Sequence, residues 1–153
     1  TRANRMLSQN IKKGMFVTGM YCVLDKRNAQ MSVASAGHNP LVVWRAATNG
    51  VELVNPGGIA LGFDPGPVFD RTIREEVLKL EHGDRIVSYT DGTVESMNEA
   101  NEEFGDKTFY QLIQQLATRD SNQFLNLILK RLDDYRGNAP QHDDMTIVTL
   151  RYL

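Results

Sequence analysis

Two short segments of this chain are apolar or β-branched on both alternation sets, and each is bounded by a carboxylate. The first is Arg85-Ile86-Val87-Ser88-Tyr89-Thr90, which runs into Asp91-Gly92. The second is Met145-Thr146-Ile147-Val148-Thr149-Leu150, which follows Asp143-Asp144. A run that is apolar on both faces reads as a strand covered on both sides. Such strands constrain the fold to one in which a sheet is buried between layers. A carboxylate at the tip of such a strand is expected at the rim of a core, partly desolvated, where an unpaired charge is costly. A divalent cation shared by Asp91 and Asp143 is one way to satisfy both. Two carboxylates are few for a hard cation, which takes about six oxygen ligands.

The chain has 153 residues, which reads as one domain with a sizeable core. Its net charge is −2 and it holds no basic block, so a phosphate-backbone binding surface is not indicated. No apolar run approaches the roughly 18 residues of a membrane span and no signal peptide is visible, so the expected setting is cytoplasmic. Cys22 is alone, cannot form an intrachain disulfide, and reads as a small buried hydrophobe. With only one cysteine and three scattered histidines, structural zinc is not expected.

Along the chain, Met6, Leu7 and Ile11 share a helical face, which predicts a helix over 2–13 with Gly14 as its stop. Residues 15–24 are apolar on both alternation sets and read as a strand buried on both faces. A turn at 25–28 leads to a small-residue strand over 31–36. Gly37-His38-Asn39-Pro40 breaks it, 41–44 resumes, and Thr48-Asn49-Gly50 is a hairpin-type turn. Residues 55–67, with four glycines and three prolines, read as a loop lying over the sheet. An exposed strand is expected over 71–80 and a buried one over 85–90.

Phe109, Leu112, Ile113 and Leu116 then mark a helix with Asp106 as candidate N-cap. A second helix after Ser121 is expected to bury Phe124, Leu125, Ile128, Leu129 and Leu132, ended by Gly137 and Pro140. A last strand is expected from Met145 to the C-terminus. Helices segregated from antiparallel strands argue an α+β fold in which sheet packs on sheet.

Among the polar groups, Glu95 follows Asp91 at a spacing that could return a carboxylate to the same rim. Neighbouring side chains on a strand point to opposite faces, so only one of Asp143 and Asp144 is expected to share a site with Asp91. The other would cap a turn or support the first. His38 reads as a turn residue before an acid–base group, His142 could tune the neighbouring aspartate, and His82 has no assigned role. Gly57-Gly58-Ile59-Ala60-Leu61-Gly62 lacks the Lys-Ser/Thr ending of a phosphate loop and reads as close backbone packing.

Tyr89-Thr90-Asp91-Gly92-Thr93-Val94 faintly resembles the nucleophile signature of the haloacid dehalogenases. The nucleophilic aspartate of that family falls on Tyr89, whose hydroxyl cannot form an aspartyl phosphate, and that reading is rejected. A second resemblance runs in order over nearly the whole chain. Met15-Phe16-Val17-Thr18, Ala36-Gly37-His38-Asn39-Pro40, Leu61-Gly62, Thr90-Asp91-Gly92-Thr93-Val94-Glu95 and Asp143-Asp144-Met145-Thr146 together resemble the SpoIIE/RsbU-type branch of the PP2C (PPM) serine/threonine phosphatases.

That resemblance implies an α-β-β-α sandwich of antiparallel sheets with a two-metal centre of Mn²⁺ or Mg²⁺. It implies hydrolysis of a phosphoserine or phosphothreonine protein, in bacteria usually an anti-sigma-factor antagonist of STAS fold, by the output domain of a longer chain with a sensor or receiver. It implies metal-ligand roles for Asp91 and Asp143, with Gly92, Glu95 and Asp144 in support.

The family's first two acidic motifs would precede residue 2. Residues 1–153 are therefore expected to be the C-terminal part of the phosphatase domain, without its N-terminal strands and inactive alone. Two alternatives stand beside it: a catalytically silent docking module for a phosphoprotein partner, and a fragment that self-associates through unpaired strand edges.

Overall fold

The computed structural model describes residues 1–153, which divide into two units. The first comprises Thr1–His38 and Asn55–Leu80; the second comprises Asn39–Val54 and Glu81–Leu153. Helices and antiparallel strands are present in both, a mixed α+β architecture as the sequence predicts.

In the first unit, helix α1 (Arg2–Asn10) ends earlier than the expected residue 13, because Ile11 is already extended. Its one fully buried residue is polar. The Asn4 amide donates to the Asp64 carbonyl at 2.8 Å and its oxygen accepts from the Gly62 amide at 2.8 Å. Met6, placed on the apolar face by its spacing, is exposed. Strands β1 (Gly19–Asp25) and β2 (Gln30–Ala36) form a hairpin across the turn at 26–29, where the Asp25 carboxylate accepts from the amides of Arg27 and Asn28.

The expected strand over 15–24, buried on both faces, is corrected in two ways. It starts at Gly19, with Val17 making only an isolated bridge to Leu61, and it is an edge strand with Tyr21 73% exposed. Cys22 on it is exposed, not buried. Strand β2 is the central strand of the three, and Met31, Val33 and Ser35 on one of its faces are buried.

Residues 55–61 are irregular, but helix α2 (Pro67–Thr72) forms where a loop and the start of a strand were expected. The Asp64 carboxylate accepts from the Gly66, Val68 and Phe69 amides, satisfying donors that a helix start leaves orphaned, and Pro67 opens the helix with its φ already fixed. Strand β5 (Glu75–Lys79) then pairs with β2, with Leu78 buried and its other four residues exposed.

The second unit is a four-stranded antiparallel sheet in the order β4-β3-β6-β7, where β3 is Leu41–Arg45, β4 Gly50–Val54, β6 Arg85–Tyr89 and β7 Ile147–Arg151. The inner strand β6 is buried as predicted, and the inner strand β3 is buried with it. Leu41, Val42, Val43, Trp44, Ile86 and Val87 are all buried, which requires cover on both faces. Strand β7 is an edge strand and is not buried in this way: Val148 is 61% exposed.

One face of this sheet carries helices α3 (Asp106–Leu116) and α4 (Ser121–Arg136). Phe109, Ile113 and Ala117 together with Phe124, Ile128 and Leu132, each set at spacings of four, pack on Val42, Trp44, Val87 and Tyr89. Leu125 is only partly buried and Leu129 is exposed, because the stripe facing the sheet is narrower than the sequence suggests. Asp120 caps α4, accepting from the Gln123 amide at 2.9 Å. The N-cap of α3 is Gly105, not Asp106; the Asp106 carboxylate instead accepts from the hydroxyls of Tyr89 and Tyr110 at 3.0 and 3.1 Å.

Arg85 is fully buried at the start of β6. Its Nε donates to the Ala117 carbonyl at 2.8 Å, one terminal nitrogen donates to Thr149 Oγ1 at 3.0 Å, and the other donates to the Arg119 carbonyl. The guanidinium carbon lies 4.2 Å from the centroid of the Phe124 ring. A buried cation thus closes the carbonyl end of α3, where the helix dipole favours positive charge. No helix of the chain is long and apolar enough to cross a membrane.

Candidate functional site

Strand β6 delivers Asp91 directly. After Tyr89 the chain passes through Thr90 and tightens into a 3₁₀ turn, Asp91–Thr93, closed by the Thr93 amide donating to the Thr90 carbonyl at 3.0 Å. The Val94 and Glu95 amides both donate to the Asp91 carbonyl at 2.9 Å, so Glu95 is carried round to the same end of the sheet. The partner segment is 143–146, just before β7. The β6–β7 register continues past its last assigned pair, with the Thr90 amide donating to the Thr146 carbonyl at 3.0 Å.

Gly92 sits where these segments meet. A Cβ there would lie 2.8 Å from the Asp144 carbonyl oxygen and 3.2 Å from the Asp143 Cβ, so the Asp-Gly turn rests directly on the Asp143-Asp144 backbone. Gly92 does not adopt a positive φ, so what demands glycine here is this packing against the second segment and not a left-handed turn.

Both aspartates are solvent-exposed, which corrects the expectation of part-desolvated carboxylates. Asp91 Oδ1 accepts from the Gly92 amide at 3.1 Å and Asp143 Oδ1 accepts from the Asp144 amide at 2.7 Å. Neither carboxylate is neutralised by an ion pair. A cavity of about 90 Å³ opens beside Asp143, lined among others by Gly92, Glu95, Glu103 and His142; Asp91 does not line it. Asp143, not Asp144, therefore faces the cavity with Glu95. The residues 143 and 144 precede the strand, so strand alternation is not what separates them; Asp144 contributes its backbone carbonyl, which accepts from Thr90 Oγ1 at 3.0 Å.

Carboxylate oxygens are the donors that Mn²⁺ and Mg²⁺ take, so the chemistry of this end of the sheet fits a hard cation. The number does not reach a full set, since no group of three or more His, Cys, Asp or Glu is arranged to hold an ion. The other histidines do not join it. His38 belongs to the first unit and is held through its backbone, its amide donating to Ser35 Oγ at 3.2 Å, in keeping with a turn role. His82 lies in the turn before β6.

Sequence reasoning passed over Thr90, whose hydroxyl links the two segments, and the Tyr89–Asp106–Tyr110 cluster, which pins α3 to β6. Burial raises the Tyr89 phenol well above its ordinary range, helped by the Tyr110 hydroxyl and the Asp106 carboxylate. A tyrosine at the inward register of a buried strand was the available signal, because a buried phenol requires a partner.

The fold is that of PP2C phosphatase domains. The PP2C phosphatase domain of SpoIIE from Bacillus subtilis, solved with a fragment of its regulatory domain, superposes with a TM-score of 0.78 at 21% identity, over 97% of this chain and 41% of that one. The SiaA PP2C domain of Pseudomonas aeruginosa gives 0.76 at 23% identity, over 88% of this chain and 51% of that one. In sequence, the phosphoserine phosphatase RsbU of Bacillus subtilis is 28% identical over 151 residues, which span 97% of this chain and 42% of RsbU. The family model of stage II sporulation protein E (SpoIIE) matches residues 1–153, and the chain belongs to that family.

Proposed function

We propose that this chain is the C-terminal part of the catalytic domain of a PP2C-type protein serine/threonine phosphatase. Asp91 and Asp143 are its share of the metal ligands, and Gly92, Glu95 and Asp144 support them. The observation that carries the reading is the direct seating of the Asp91-Gly92 turn on the Asp143-Asp144 backbone, in a chain matched end to end by the SpoIIE family. The likeness to RsbU supports a phosphoserine substrate, and the corresponding partner is a phosphoprotein of the STAS-type anti-sigma-factor-antagonist class, met in the cytoplasm.

Bound Mn²⁺ or Mg²⁺ supplies Lewis acidity toward the phosphoryl group and its attacking water. What this chain supplies is a pair of unpaired, exposed carboxylates on two backbones held in fixed register. Because the donor set is partial, we infer that residues 1–153 alone are silent, and that upstream residues of the gene product complete the set and carry a sensor or receiver. The same partial set favours, as a second reading, a docking module that binds the phosphoprotein without cleaving it.

The test is Mn²⁺-dependent phosphate release from a phosphoserine STAS-type protein by the full gene product, its Asp91→Asn variant and residues 1–153. Turnover by the full product alone supports the phosphatase. A full product that binds the phosphoprotein but never releases phosphate supports the docking reading.

A further inference from the structure

We propose that Thr90 is a positioning residue for the metal site, setting the separation of the two aspartate-bearing segments through its hydroxyl; this rests on the phosphatase reading above. At the end of β6 the ladder with the segment before β7 changes character. The Thr90 amide still donates to the Thr146 carbonyl at 3.0 Å. The Thr90 carbonyl, however, is engaged by the Thr93 amide as the chain tightens into the 3₁₀ turn. The Thr146 amide donates instead to Thr90 Oγ1, at 2.8 Å, and that hydroxyl in turn donates to the Asp144 carbonyl at 3.0 Å.

One hydroxyl therefore accepts from one residue of the second segment and donates to another. It does so one position before Asp91 and opposite the residues that follow Asp143. A hydroxyl has one donor and two acceptor sites, so both bonds can be made at once. Serine can repeat them, whereas valine matches the shape of threonine and can make neither. The 3₁₀ turn aims Asp91, and the hydroxyl replaces the ladder bond that the turn consumes. The close approach of Gly92 to the Asp144 carbonyl is a second restraint between the same segments.

The experiment uses the full gene product and its Thr90→Val, Thr90→Ala and Thr90→Ser variants. Three quantities are read: Mn²⁺ affinity by calorimetry, hydrogen exchange of the Thr146 amide without metal, and melting temperature. Groups that orient metal ligands typically change metal affinity 10–100-fold when removed, so Thr90→Val should weaken Mn²⁺ at least about tenfold while Thr90→Ser stays within about threefold of the parent. The Thr146 amide should lose protection in Thr90→Val and Thr90→Ala and keep it in Thr90→Ser.

Equal Mn²⁺ affinity in Thr90→Val and the parent overturns the proposal, as does a Thr90→Ser as weak as Thr90→Val. Failure of both Thr90→Val and Thr90→Ala to fold makes the hydroxyl a folding determinant and overturns it too. If the parent itself binds no Mn²⁺, the phosphatase reading fails first and takes this one with it, an outcome distinct from the others.

Discussion

Gly92 and Asp144 are packed so closely that a methyl group on Gly92 would sit 2.8 Å from the Asp144 carbonyl oxygen. The obstructing atom is backbone and cannot rotate away, and the Asp143 Cβ stands behind it at 3.2 Å. Something in the seam must move. Gly92→Ala in the full gene product is expected to cost about 1–3 kcal/mol in urea unfolding, the usual range for forcing an extra methyl into a packed site. It should also weaken Mn²⁺ binding, because the segment displaced is the one that carries Asp143. Unchanged stability together with unchanged Mn²⁺ affinity would show that the seam is more compliant than this geometry allows.

Arg85 makes a different demand on the fold. It is a buried cation with no carboxylate partner, and burial together with the nearby Arg151 pulls it below the ordinary arginine range, partly offset by Asp120. It stays because its fork meets two backbone carbonyls after α3 and the Thr149 hydroxyl, over the face of Phe124. Lysine keeps the charge but not the planar fork. Arg85→Lys is therefore expected to destabilise by about 2–3 kcal/mol, since buried carbonyls are left without donors. Chemical denaturation measures it, and a loss near zero would contradict the role given to the fork.

Tyr89 gives a pH dependence. Burial, the Tyr110 hydroxyl and the Asp106 carboxylate all hold its phenol protonated, so its folded pKa lies above the unfolded value. The folded state then binds more protons than the unfolded state once the unfolded tyrosine begins to ionise, and stability falls as pH rises. The contribution is fully present below about pH 10, the ordinary tyrosine pKa, and is lost progressively above it. Tyr89→Phe cannot ionise. Between pH 9.5 and 11 the parent should lose stability more steeply than this variant, as read by urea midpoints at fixed ionic strength. Parallel slopes would remove Tyr89 as the cause.

Periodicity located what depends on one element and its immediate cover. The stripe Phe124, Ile128, Leu132 and the two-sided apolar run of β6 could be read because burial of those residues follows from the pattern itself. The edge strands could not. Residues 19–25 and 147–151 have the same two-sided apolar look as β6, but edge position is set by sheet order, which no local pattern encodes. Helix α2 was missed because its start depends on Asp64 accepting three amides across a Pro-Gly-Pro stretch that otherwise reads as loop.

At the site, Asp91 and Asp143 were legible as carboxylates bounding apolar runs, but their exposure was not. The link through Thr90 was hidden because it joins residues more than fifty positions apart.

The last prediction separates the two adjacent aspartates. Asp143 lines the cavity beside Gly92 and Glu95, and its Oδ1 is anchored by the Asp144 amide, which fixes the direction of the carboxylate. The carboxylate of Asp144 makes no hydrogen bond in the chain and does not line that cavity; its backbone carbonyl is the part that takes the Thr90 hydroxyl. Replacing the side chain of Asp144 leaves that carbonyl in place. Asp143→Asn in the full gene product should therefore weaken Mn²⁺ well beyond the roughly 10–100-fold seen for groups that only orient a ligand, and Asp144→Asn should remain at or below the bottom of that range. The same ordering is expected in thermal protection. Saturating a site at about 100 times its Kd adds close to 2.7 kcal/mol to stability, a gain that Asp144→Asn should retain and Asp143→Asn should lose. Calorimetric titration and melting curves with and without Mn²⁺ decide it. A reversed order would move the ligand role to Asp144 and require the segment before β7 to present its other side chain when metal binds.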